Sequence, residues 1–172
     1  MKSELYIKDV LSRSFDGRKI RYITIPDFQR PYCWSMENIQ EILDDFEELR
    51  CLENGTYRDD QYYFGTIAFR ECEQDLEILD GQQRITSFFL LAKVLWELSL
   101  KSRNSEIQKL GKEVDILLSG KPEKNGRSWE FTLNVNQPES QRHIREIYHE
   151  LQIHYAVFAS ESKSCELVTQ RL

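Results

Sequence analysis

Residues 76–100 read LEILDGQQRITSFFLLAKVLWELSL, and no other stretch constrains the fold as strongly. The first part has the β-rich character of a strand, and Asp80-Gly81 ends it. A helix follows at once, with apolar side chains at Ile85, Phe88, Phe89, Leu91, Leu95 and Leu98 on most of its sides. Residues 85–100 are broken by Thr86, Ser87, Lys93 and Glu97, whereas a bilayer span needs about 20 mostly apolar residues. A helix of this kind belongs in the interior of a folded domain.

The remaining elements are predicted from periodicity and turn signals. Leu5, Ile7, Val10 and Leu11 mark a short opening helix, ended by a turn at Asp16-Gly17. Residues 19–25 read as one strand closed by Pro26. Ser35 is the expected N-cap of a helix carrying Ile39, Ile42, Leu43, Phe46 and Leu49. Its other face is acidic (Glu37, Glu41, Asp44, Asp45, Glu47, Glu48) and reads as solvated. After a loop at Asn54-Gly55, residues 61–70 and 75–79 form an expected hairpin with a polar turn at 71–74. Residues 107–118 read as a helix, 121–128 as a loop and 129–133 as a short strand. Pro138-Glu139 opens a helix with Ile144, Ile147, Tyr148 and Leu151 on one face. Residues 161–172 keep a helical pattern and stop without a polar tail, which reads as truncation of something longer. The class is α+β.

Totals narrow the function classes. Of 172 residues, 40% are hydrophobic and 12% aromatic, which excludes wholesale disorder. The net charge of −6 opposes a protein that coats nucleic acid by bulk electrostatics, though not one with a local basic groove. Cys33, Cys51, Cys72 and Cys165 form no Cys-x-x-Cys pair, so metal-site spacing is absent. No signal peptide or membrane span is predicted, and the chain reads as soluble and cytoplasmic.

The chemistry concentrates in two segments. In Asp80-Gly81-Gln82-Gln83-Arg84, glycine permits a sharp bend and close ligand approach, and the helix's first turn leaves N–H groups for an anion. Arg84 adds a planar cation suited to phosphate, Asp80 a carboxylate that could hold Mg²⁺, and Gln82 and Gln83 donors for phosphate or a water. The plainer alternative is a turn followed by a capped helix. The second segment, residues 25–34 (IPDFQRPYCW), is stiffened by two prolines and crowded with aromatics. It reads either as an aromatic plug over one end of the sheet or, at Arg30, as a phosphate or base contact.

IPDFQRPYCW, YYFGTIAF and ILDGQQRITSFFLL, in that order, resemble the bacterial and archaeal family typified by the N-terminal part of GmrSD, a modification-dependent restriction endonuclease. The resemblance covers residues 5–100 and extends to the remainder only in general helical character. It implies a ParB/sulfiredoxin-like core, a small mixed sheet with packed helices, over residues 1–103. Residues 104–172 become a mainly helical extension. It also implies binding and hydrolysis of a nucleoside triphosphate with Mg²⁺, coupled to recognition and cleavage of modified DNA. Carried over, Asp80, Gln82, Gln83 and Arg84 become catalytic, with Asp80 the metal ligand. Gln29, Arg30, Gly81 and Arg84 become nucleotide-binding.

Complete members carry an HNH-type nuclease domain, in cis or on a partner chain, and this chain shows no such string. Its three histidines, His143, His149 and His154, read as surface or half-buried structural residues. The chain is therefore not expected to cut DNA alone. Two other readings remain: an NTP-gated or DNA-binding regulator without turnover, and a toxin-like or scaffold protein whose loop is only structural.

Overall fold

The computed structural model describes residues 6–15, 18–20, 22–50, 63–72, 75–119, 133–135 and 137–160. The chain runs α1 (Ile7–Leu11), β1 (Ser14–Phe15), β2 (Arg18–Lys19), β3 (Ile23–Ile25), α2 (Met36–Arg50), β4 (Ala68–Cys72) and β5 (Asp75–Asp80). It continues with α3 (Gln82–Lys101), α4 (Ser105–Ser119), β6 (Leu133–Val135) and α5 (Pro138–Ser160). The architecture is α+β.

Four strands form one mixed sheet in the order β4-β5-β3-β6. β3 is parallel to both β5 and β6, and β4 closes the edge as the antiparallel half of a hairpin with β5. β1 and β2 pair separately. β6 lies beyond residue 103 in sequence, yet its Val135 pairs with Ile25 in the same sheet as the DGQQR strand.

α3 is the axis of the packing, and 14 of its 20 residues are buried, as its pattern predicts. Ile85, Phe88, Phe89, Ala92, Leu95 and Trp96 join a cluster with the sheet residues Ile23, Ile25, Leu76 and Ile78. Leu90, Leu91 and Val94 join another with Tyr32, Ile39 and Leu43 and with Ile144, Ile147 and Leu151 of α5. Two faces of one helix thus feed two clusters. Phe89 is fully buried, so its truncation to Ala would cost about 3–5 kcal/mol.

Several boundaries differ from the sequence reading. The single strand expected at 19–25 is two short strands in different sheets. Ile20 N–H donates to the Arg13 carbonyl, and Tyr22 N–H to Asp75 Oδ1, so the chain changes sheets between them. The first hairpin strand is Ala68–Cys72, without residues 63–67 of the stretch expected at 61–70; residues 61 and 62 lie outside the described residues. Before Ala68, Gly65 takes left-handed backbone at φ +89, and Arg84 binds the carbonyls of Phe64 and Thr66 on either side, so this stretch leaves the extended form.

Ser35 does precede α2, but with a reversed capping contact: its N–H donates to Oδ1 of Asn38, three residues on. On α2, Glu37, Glu41, Asp44 and Asp45 are exposed, as expected of a solvated face. Asp16-Gly17, Asn54-Gly55, residues 121–128, most of the strand expected at 129–133, and residues 161–172 lie outside the described residues. Among those described, no helix is long and apolar enough to cross a membrane.

Candidate functional site

Parallel pairing fixes where the chemistry gathers. Because β3, β5 and β6 run in the same direction, their carboxyl ends leave the sheet at one edge. α3 starts from that edge through Gly81, α5 starts three residues after the end of β6, and α2 follows the loop of residues 26–35. Open sheets bind ligands at this edge, because helix N-termini present N–H groups and partial positive charge there.

The turn itself is built from Asp80 and Gly81. Gly81 is the N-cap of α3 at φ 88 and ψ 10, left-handed backbone that an L side chain resists. A Cβ there would also lie 3.0 Å from Ile67 Cγ1. Its carbonyl accepts the Ile85 N–H, and its own N–H donates to Asp80 Oδ1 at 2.8 Å. Asp80 is otherwise exposed.

Past the turn, Gln83 and Arg84 reach in opposite directions. Gln83, 4% exposed, donates through Nε2 to the Pro31 carbonyl and accepts the Cys33 N–H at Oε1, both at 2.9 Å. Arg84 donates from Nη1 to the Phe64 carbonyl at 2.6 Å and from Nη2 to the Thr66 carbonyl at 2.8 Å. The Phe64 ring stands edge-on against Phe88, one turn further along α3. Gln82 is buried beside them.

Residues 26–34 lie against the same edge. The Gln29 N–H closes a turn on the Pro26 carbonyl, and Gln29 Nε2 donates to the Leu79 carbonyl at 3.0 Å. The two sequence segments are therefore in direct contact through Gln29 and Gln83. Arg30 sits between these anchors and is exposed, in the loop that follows β3, while Arg84 binds the stretch that precedes β4.

The sequence reading missed how this loop is held from behind. Gln137 Nε2 donates to the carbonyls of Pro26, Asp27 and Gln29. Ser140 Oγ donates to Gln137 Oε1 at 2.6 Å and accepts the Tyr32 N–H at 2.9 Å. His143 Nε2 meets the Trp34 carbonyl at 3.0 Å. Gln137, just before α5, and Ser140 and His143 within it recur at intervals of three, which puts them on one side of the helix start. Pro138 at the helix start marks Gln137 as the residue just outside, but nothing local tells which loop it grips. Tyr32 OH pairs with Ser87 Oγ at 2.8 Å, and burial pushes the phenol up to about 12. Of the other histidines, His149 is exposed and His154 half-buried.

Residues 7–170 match the family model described as "GmrSD restriction endonuclease, N-terminal domain". The chain belongs to this family. The match runs through α5, so the GmrSD N-terminal domain includes the helix that grips the loop of residues 26–34. The chain is also similar to the uncharacterized protein MJ0686 of Methanocaldococcus jannaschii, with 29% identity over 96 residues. That similarity covers 47% of this chain and spans only 16% of the relative.

Within this member of the GmrSD N-terminal family, the described residues contain no group of three or more His, Cys, Asp or Glu side chains that could hold a metal ion. A cleft of about 240 Å³ opens between α3 and α5, lined by residues including Glu97, Lys101 and Gln152. Lys101 ends α3, so this cleft lies at the opposite end of the helix from Gly81. Its Glu97 carboxylate already accepts from Tyr148 OH and Gln152 Nε2.

Proposed function

We propose that this domain binds a nucleoside triphosphate at the β5–Gly81–α3 turn and hydrolyses it, as the nucleotide-dependent module of a restriction system. DNA contact and an HNH-type nuclease, in cis or on a partner chain, belong to the larger assembly in this reading. One observation carries it: a left-handed glycine joins a parallel strand directly to the N-terminus of a long buried helix. The backbone can then approach phosphate closely, and the first-turn N–H groups lack helical partners of their own.

The residues take distinct roles. Gly81 and the first turn of α3 receive phosphate oxygens, and exposed Arg30 supplies charge. Gln29 and Gln83 are positioning residues, since their amides hold the two segments together. Arg84 fixes residues 64–66 with two N–H groups, and its remaining N–H donors are available to the nucleotide. Asp80 keeps a solvent-facing carboxylate, which fits Mg²⁺ held by one carboxylate plus phosphate oxygens rather than by a protein cage. When bound there, Mg²⁺ supplies charge neutralisation between phosphates.

A regulator that binds without turnover is the second reading. The engagement of Gln83 and Arg84 with protein carbonyls and N–H groups favours it. The two separate in a thermal-shift panel of ATP, GTP, CTP and UTP with Mg²⁺, followed by phosphate release under multiple turnover. The leading reading expects stabilisation by a nucleotide, phosphate release that Asp80→Asn abolishes, and binding weakened about ten- to a hundredfold by Arg30→Ala. Stabilisation without phosphate release selects the regulator. No stabilisation by any of the four rejects both.

A further inference from the structure

The backbone of residues 26–34 is gripped from α3 and α5, yet the ring of Phe28 is 69% exposed between two gripped residues. Gln137 binds the carbonyls of Asp27 and Gln29 on either side of it, and the Gln29 side chain binds Leu79 of β5. A phenylalanine on a loose tip needs no explanation, because its exposure is averaged over many conformations. Here the neighbours are fixed while the ring faces largely solvent, so apolar area that folding normally removes from water stays exposed. Tyr63 is also exposed, at 79%, but its hydroxyl pairs with Thr66 Oγ1 in its own loop. Phe28 offers only a π face and an apolar edge.

We propose that Phe28 is the stacking platform for the base of the bound nucleoside triphosphate, an assignment that rests on the reading of the Gly81 turn as the phosphate site. The order of chemistry along the loop fits a nucleotide. Phe28 offers a planar apolar face, Gln29 ties the loop to the end of β5, and Arg30 follows with an exposed cation. Every base has a π face, so stacking here binds all four nucleotides with little discrimination and leaves selectivity to edge contacts. The pinned backbone lowers the ordering cost of stacking, because the platform is already in place before the base arrives.

The test compares wild type, Phe28→Ala and Phe28→Trp as full chains, titrated calorimetrically with Mg–ATP, Mg–GTP, Mg–tripolyphosphate and a single-stranded oligothymidylate. Phe28→Ala is expected to weaken both nucleotides about five- to a hundredfold and to leave tripolyphosphate within twofold. Phe28→Trp restores nucleotide affinity, and all three chains melt alike because the ring contributes little packing. Unchanged nucleotide affinity in Phe28→Ala overturns the proposal. So does an equal loss for tripolyphosphate, which would make Phe28 a support of the loop. A loss confined to the oligonucleotide also overturns it, since the stacked base would then belong to DNA. A wild type that binds tripolyphosphate but not nucleotides more tightly removes the stacking platform alone. A wild type that binds none of them removes the phosphate site as well.

Discussion

Two loops flank the Gly81 turn, and they are held in opposite ways. Residues 26–34, on the β3 side, are anchored by side chains of Gln83, Gln137, Ser140 and His143, spread over two helices. Residues 64–66, on the β4 side, receive two hydrogen bonds from one guanidinium, that of Arg84. The first arrangement is redundant and divides its contacts among four side chains. The second concentrates two charge-assisted bonds in one side chain. Redundancy spreads the cost of losing any member, whereas a single clamp fails at once. The β4-side loop is therefore the one a single substitution or a ligand competing for Arg84 can release.

Among the groups that hold these two loops, Arg84→Ala should have the largest effect. Loss of hydrogen bonds from a charged group is expected to destabilise the chain by about 2–3 kcal/mol in urea unfolding. Gly65→Ala attacks the same clamp from the other side: its Cβ would fall 1.8 Å from Arg84 Nη1 at a backbone φ of +89. The guanidinium must then move. The two substitutions should couple by about 1 kcal/mol or more in a double-mutant cycle, because Arg84→Ala leaves Gly65→Ala only its backbone strain. Strict additivity would show that the guanidinium is not held in this gap.

Gln137→Ala comes next, at about 1–2 kcal/mol, smaller because other anchors of residues 26–34 survive. Hydrogen exchange should show the loss of protection around Tyr32 and Cys33, with β4 unaffected. Protection lost at both loops alike would mean that they are not separate units.

The smallest effect at neutral pH is that of Tyr32→Phe, about 1 kcal/mol for the Ser87 contact. Its signature is alkaline. The folded phenol is pushed up to about 12 from an ordinary value near 10, so the unfolded chain ionises first. Stability contributed by Tyr32 is present below pH 10 and is lost as pH rises toward 12. Tyr32→Phe should shrink that loss in unfolding measured at pH 9 to 12, without abolishing it. Tyr148 also has its phenol raised, by burial and by the Glu97 carboxylate, and keeps a residual effect.

The sequence alone determined the elements whose signals are local. The apolar run from Ile85 onward had to become a buried helix, since no other arrangement removes so many neighbouring apolar groups from water. Asp80-Gly81 had to be the break before it, because glycine accepts the left-handed backbone without a Cβ penalty. Tertiary structure decided what those elements hold. The partners of Gln83 lie 50 and 52 residues away, and those of Gln137 between 108 and 111 residues away. Neither separation leaves a mark on helical or strand periodicity. The shortened strand before Ala68 has the same origin: its residues have strand-forming character, and Arg84, 18 to 20 residues downstream, claims their carbonyls. Local propensity is settled within a few residues, whereas a buried amide or guanidinium binds whichever backbone groups the fold brings to it.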